Sequence, residues 1–420
     1  MATTPNVQIP TSRNRIIYNA LNLYVGQVDP VTGDHTLNGN IKQLTRIQSF
    51  EEDFARNLTD INQYGQLAAL DRIDLQAPTV KANYSYLLTD GQNEDYLGLD
   101  VQTGNGSLYS CISGILNNTT DVYNYFLTIA DEGNDAVGYK GANTGVIGLG
   151  NCYVTNYSIE AAVGQLPKAN VSLEALNINV IYPMEGNGLD QLPSVNPDNG
   201  VPVQKGFNLP TASGSSSKTQ VAALQPGQMT LGISGVLGFS NSDLKIQNFK
   251  LNLPISRKPL MKLGSKFAFS RVIDFPVKAT FSIDAEIGSL YAGGSPYNQS
   301  GYNLIATGAT TSGAVTGNYL SGVIPWDLYV PENSQNINNL ANVLCDTGAY
   351  NLQVAFQNPN CAGTGTNALL FQFNNCRLIS QKVSTSIGSN AKLSAEWQTQ
   401  LGGPQDTVNG VFISGSYPTL

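Results

Sequence analysis

A sequence with one histidine, two tryptophans and five cysteines has little of the material from which most catalytic and metal sites are built. His35 closes the turn-like run Pro30-Val31-Thr32-Gly33-Asp34-His35, and no nucleophile elbow lies near it. A Ser-His-Asp or Cys-His arrangement has no second histidine to use, so a solvated turn residue is the expected role. Histidine clusters for zinc or copper are excluded by count. Cys111, Cys152, Cys345, Cys361 and Cys376 are odd in number and show no CxxC spacing, which points to buried free thiols.

Charge is scarce as well, at 12% of residues, with a net charge of −8. The basic excess that would neutralise phosphates on a nucleic acid or an anionic membrane is missing. The opening MATTPNVQIP has no basic start before an apolar run, and no stretch approaches about 18 uninterrupted apolar residues. A protein made and kept soluble, without Sec-type export and with no membrane partner, is expected. The sequons at Asn57 and Asn83 then carry no glycan.

Glycine (42), tyrosine (20), phenylalanine (14) and asparagine are plentiful, a profile of strands and turns. Alternation confirms that preference locally. Val277, Ala279, Phe281, Ile283, Ala285 and Ile287 alternate with polar residues, as do Val80, Ala82, Tyr84, Tyr86 and Leu88. Phe249 to Ile255, Tyr157 to Val163, Leu21 to Val25 and Met229 to Ile233 repeat the pattern. Helical signal is thin, with 337–344 the one short candidate. The fold class is all-β.

The sequence also repeats. Ile47-Gln48-Ser49-Phe50 recurs as Ile246-Gln247-Asn248-Phe249, and Gly65 and Arg72 recur as Gly264 and Arg271, all 199 residues on. Val80-Lys81-Ala82-Asn83-Tyr84-Ser85 matches Val277-Lys278-Ala279-Thr280-Phe281-Ser282 at 197, implying a two-residue length difference. Asn151-Cys152 and Gly164 match Asn375-Cys376 and Gly388 at 224, while Ala169, Ser172 and Glu174 match Ala391, Ser394 and Glu396 at 222. The jump from 197 to 224 implies 27 extra residues in the second copy, a loop between 283 and 374 that includes the Gly/Thr-rich 308–317. Residues 184–220 carry Gly, Pro, Asn and Ser without a hydrophobic period. The organisation expected is an arm (1–11), a first β-sandwich or β-barrel module (12–184), a linker (185–220) and a homologous second module (221–420).

Motifs for chemistry are weak. Gly145, Gly148 and Gly150 imitate part of a phosphate loop, but a strand pattern follows and the Lys-Ser/Thr pair is absent, so a turn between strands is expected. Asn93-Glu94-Asp95 and the acidic run 131–135 lack the ligand spacing of an EF-hand. Glu51-Glu52-Asp53 could in principle do glycosidic acid/base work, but the second copy has Lys250-Leu251-Asn252 there. No enzyme, cofactor or metal is expected.

Several blocks carry a family resemblance: Gln63-Tyr64-Gly65-Gln66-Leu67-Ala68, Asp71-Arg72-Ile73, Pro78-Thr79-Val80 and Tyr84-Ser85-Tyr86, with Ser256-Arg257-Lys258-Pro259-Leu260, Leu263-Gly264-Ser265-Lys266 and Phe275-Pro276-Val277 in the second copy. Together with the closing 410–415, about half the chain resembles virion structural proteins of tailed bacteriophages, tail tube subunits especially. The resemblance implies stacked rings around a channel through which DNA passes without specific binding. Two modules per chain imply homo-oligomeric rings, three chains making a trimer with pseudo-six-fold symmetry, located in the virion tail after assembly in the host cytoplasm and in contact with other tail proteins. A distal tail, baseplate hub, neck or capsid decoration component is the alternative. A carbohydrate-binding β protein is a third reading, weakened by having only Trp326 and Trp397 for sugar platforms.

The halves differ in charge. Residues 1–186 hold 9 basic against 19 acidic side chains, and residues 187–420 hold 13 against 11. Glu51, Glu52, Asp53, Asp60, Asp71 and Asp74 in copy one stand where copy two has a basic stretch, which includes Lys250, Arg257, Lys258, Lys262, Lys266 and Arg271. These twelve are the candidate subunit contacts, an acidic face meeting a basic one and fixing module order. The competing reading is an ordinary solvated patch.

Overall fold

A computed structural model of the 420-residue chain describes residues 21–29, 31–34, 41–103, 109–117, 121–130, 144–182, 189–210, 224, 229–234, 244–287, 350–357, 367–387 and 390–416. The N-terminal arm, His35, the acidic run 131–135, most of the 283–374 loop with Trp326 and the 337–344 helix candidate, Cys345, Cys361 and part of 185–220 lie outside the described residues.

The chain is all-β. Its first half runs β1 (Leu21–Val28), β2 (Ile41–Gln43), β3 (Ile47–Ala55), β4 (Leu58–Ile61), β5 (Asp71–Asp74), β6 (Thr79–Leu87), α1 (Gln92–Tyr96), β7 (Val101–Thr103), α2 (Ser113–Asn117), β8 (Val122–Ala130), β9 (Thr144–Ala162), β10 (Lys168–Ala175) and β11 (Asn177–Ile181). Its second half runs β12 (Met229–Ser234), β13 (Leu244–Pro254), β14 (Arg257–Leu260), β15 (Ser270–Ile273), β16 (Lys278–Ile287), β17 (Tyr350–Gln357), β18 (Asn367–Ser384), β19 (Lys392–Gln400) and β20 (Gly410–Gly415).

The strand pairings of the first half recur in the second. β8, β9, β10, β6 and β3 pair in that order, and so do β17, β18, β19, β16 and β13. Bulges recur too: the ladder shifts between Ile47 and Ser49 and again between Ile246 and Asn248. Register corrects one expectation. Ile47 faces Tyr86 while Ile246 faces Ala285, so a spacing of 199 holds through both strands. Val80 therefore corresponds to Ala279, the two-residue length difference suggested by matching Val80 to Val277 disappears, and the extra residues of the second half before Asn375 number 25 in place of 27. The β alternation made the wrong match look good, because a slip of two keeps every side chain on its face.

β9 and β18 are long because each crosses from one layer to the other. Both bend at an asparagine with positive φ, Asn151 (52°) and Asn375 (55°), a conformation asparagine tolerates better than most residues. The bend is fixed the same way twice: Asn151 N–H donates to Asn124 Oδ1 at 3.0 Å, and Asn375 N–H to Asn351 Oδ1 at 3.1 Å. The next residue in each case, Cys152 or Cys376, is a buried free thiol, as is Cys111.

The layers enclose one apolar core shared by both halves. Tyr84 of β6 meets Tyr125 of β8 at 5.9 Å between ring centroids, while Phe281 of β16 meets Phe373 of β18 at 4.8 Å and Trp397 of β19 at 5.9 Å. Offset and tilted rings at these distances are favourable beyond the area they bury. β8 is buried on both faces because residues 189–210 cover its outer side: Leu192, Phe207 and Leu209 pack on Tyr24 and Phe126, with Phe126 and Phe207 at 4.5 Å. That part of the segment expected as a linker is thus a cover for the first half. Gly148 and Gly150 lie inside β9 and form no turn. Pro193 of the cover sits where their side chains would be, at 2.8 and 2.2 Å from an added Cβ. Glycine is needed there for close approach.

Candidate assembly interface

The two halves meet edge to edge. β13 pairs antiparallel with β9, from Asn248 opposite Ala162 to Pro254 opposite Asn156. Phe249, Leu251 and Leu253 continue the buried face of Tyr157, Ile159 and Ala161, while Lys250 on the other face reaches Glu160 at 3.1 Å. One sheet therefore runs β3-β6-β10-β9-β13-β16-β19-β18, four strands from each half.

Hairpin β14–β15 extends the junction. Arg257 is 1% exposed at its side chain, pairs with Asp121, and stacks its guanidinium 4.9 Å from the centroid of Tyr153. Arg271 pairs with Glu174 and lies 5.8 Å from the same ring. Planar cations close to an aromatic ring gain both charge and stacking. Ile255 N–H donates to Thr155 O at 2.8 Å, and Ala77 N–H to Lys266 O at 3.0 Å. Lys262 pairs with Asp198 of the cover, whose Gly200 backs on Phe267, and Lys258 pairs with Asp274 at 2.6 Å inside the hairpin.

The acidic candidates sit elsewhere. Glu51, Glu52 and Asp53 lie on β3, the end strand of the sheet, with Glu51 and Asp53 exposed and Glu52 half-buried. Hairpin β4–β5 projects beyond it. There Arg72 binds Asp60 at 2.7 Å and Arg56 binds Asp74 at 2.6 Å, while Asp71 Oδ1 accepts from Arg72 N–H. The hydrogen bond from Arg56 holds the Asp74 carboxyl below the usual aspartate range. Within the chain, the basic candidates Lys250, Arg257, Lys262 and Arg271 thus meet Glu160, Asp121, Asp198 and Glu174, while Lys266 is the one whose charge reaches an acidic candidate, adding to the lowering of Asp74. Those four acids carried no sequence signal, being single residues on separate elements.

Two further features are polar. Glu94 of α1 is completely buried, accepting from Tyr86 Oη at 2.7 Å and Tyr157 Oη at 2.9 Å. Burial raises its pKa above the ordinary 4.5 despite those donors. A cleft of about 410 Å³ nearby is lined by Gln27, Lys42, Asp95, Asp100 and Tyr123 among others. Among the described residues no three His, Cys, Asp or Glu side chains gather, and no helix is long and apolar enough to cross a membrane.

No family model and no curated protein matches this chain. Among solved structures, it is similar to the SPP1 tail tube determined by solid-state NMR and cryo-EM. The likeness has 10% identity over 41% of this chain and 81% of that one, with a TM-score of 0.27. A likeness so slight carries no argument about this protein.

Proposed function

We propose that this chain is a structural subunit of a bacteriophage tail tube, two homologous β modules in tandem, whose rings stack into the conduit for DNA. The observation that carries the reading is the continuous run of eight strands, β3 to the C-terminal part of β18, whose two outer edges carry no further strand among the described residues. Open edges are a liability that closure removes, and a sheet shared among copies closes without leaving any. Three chains in a ring give six modules. The net charge of −8 suits a conduit that must not hold phosphates. The chain acts by assembly and not as an enzyme.

Negative-stain microscopy of the purified protein tests this. Hollow tubes, or rings with three-fold features, are expected. Monomers persisting at every protein and salt concentration would overturn it.

A further inference from the structure

The junction inside the chain is a template for a contact between chains. β13 corresponds to β3 at a spacing of 199, and β9 to β18 at 224, because Cys152 faces Tyr123 where Cys376 faces Tyr350 and the sheet then bends. The edge of β9 that receives β13 is occupied, whereas among the described residues no strand lies on the equivalent edge of β18, along 377–384, or on the outer edge of β3.

We infer that β3 of one copy pairs antiparallel with the C-terminal part of β18 of a second copy, in a register set by the internal junction. Lys250 opposite Glu160 becomes Glu51 opposite Ser384. Asn252 opposite Ser158 becomes Asp53 opposite Lys382, and Pro254 opposite Asn156 becomes Ala55 opposite Ser380. The inference rests on the assembly proposed above and adds the residues that meet.

Three observations support this register. First, it sets an acid directly against a base, Asp53 against Lys382, with the acid now on the incoming strand. Directly opposed charges of opposite sign stabilise a strand pair, and like charges destabilise it. Second, the alternative is repulsive: β3 placed on β9 would set Glu51 against Glu160, where Lys250 now sits. Charge therefore sends β13 to β9 and β3 to β18, which fixes the order of modules. Third, the edges carry apolar groups in want of cover: Phe54 is 57% exposed on β3, and Ile379 and Val383 are 53% and 39% exposed on β18. Their counterparts at the internal junction include Leu253 and Ile159, both buried. Ladder formation would also extend β18 past Ser384, to match the length of β9.

Two sets of variants test it in the full chain. Asp53→Lys and Lys382→Glu each set like charges opposite one another, and either should raise the protein concentration needed for assembly by about 10-fold. The double variant D53K/K382E should return it to near the wild-type value. Separately, E51C/S384C should give disulfide-linked multimers on mild oxidation, while E51C/V383C, with its cysteines on opposite faces, should not. Circular dichroism of the monomers checks that each variant folds. The register is overturned if assemblies form but E51C/S384C gives no cross-link, if the opposite-face pair links equally, or if the double variant assembles no better than the singles. Wild-type protein that never assembles overturns both this inference and the tube.

Discussion

Hairpins β4–β5 and β14–β15 occupy corresponding places in the two halves, yet one is bare and the other docked. Hairpin β14–β15 lies on the first half through a buried arginine, a shared tyrosine ring and the cover segment. Hairpin β4–β5 shows no such anchor among the described residues: its ion pairs are internal, Tyr64 and Leu67 are fully exposed and Leu58, Ile61 and Leu70 about half so, although Leu263 at the tip of the docked hairpin is as exposed. The backbones agree, down to the positive φ of Gly65 (88°) and Gly264 (89°) at the two tips. The difference lies in the neighbours. A chain of two halves has one internal junction, so only one of two equivalent hairpins can find its partner without a second chain.

The largest expected effect comes from undoing the docked side. Arg257→Ala leaves Asp121 without its cation and Tyr153 with Arg271 alone, and should destabilise the monomer by about 2 kcal/mol, less than a fully buried pair because Asp121 is partly exposed. The corresponding change on the bare side, Leu58→Ala, should stay within about 0.5 kcal/mol. Urea denaturation of both variants measures the contrast; equal losses would mean that the hairpins are not as different as they look.

A smaller effect separates the cores of the halves. Glu94 has a folded pKa raised by burial, so its contribution to stability is fully present below its unfolded value and is lost as pH rises through the folded one. Glu94→Gln keeps an acceptor for Tyr86 and Tyr157 but removes the titration. The urea midpoint of wild-type protein should fall more between pH 5 and pH 7 than that of the variant, and parallel profiles would contradict the buried carboxylate.

The smallest effect expected in the monomer is none. Tyr64→Ser with Leu67→Ser should leave the thermal midpoint unchanged while weakening assembly in sedimentation, since both side chains are fully exposed. A lowered midpoint would show that the bare hairpin already has a partner.

Much of the strand set was legible because half-buried strands alternate: 80–88, 249–255 and 277–287 fall on β6, β13 and β16. β8 did not read as an alternating strand, since Val122 to Ala130 is apolar almost throughout, and only the cover segment explains why both faces are buried. Glycine-rich 145–150 looked like a turn because nothing in sequence announced Pro193 against it. The basic residues of the second half were visible as a group. Their partners Asp121, Glu160, Glu174 and Asp198 were not, because ion pairs across a fold depend on which elements become neighbours.

Composition and alternation, which are local, determined an all-β chain with recurring blocks and unlike charge in its two halves. Only the tertiary structure decided that the blocks join through β9 and β13 into one sheet, that most of the basic candidates are used inside the chain, and that the outer edges of β3 and of the C-terminal part of β18 carry no strand among the described residues. The reason is physical: a strand's faces follow from its own period of two, but its edges carry the same backbone groups in every sequence, and which edge meets which is settled by the neighbours.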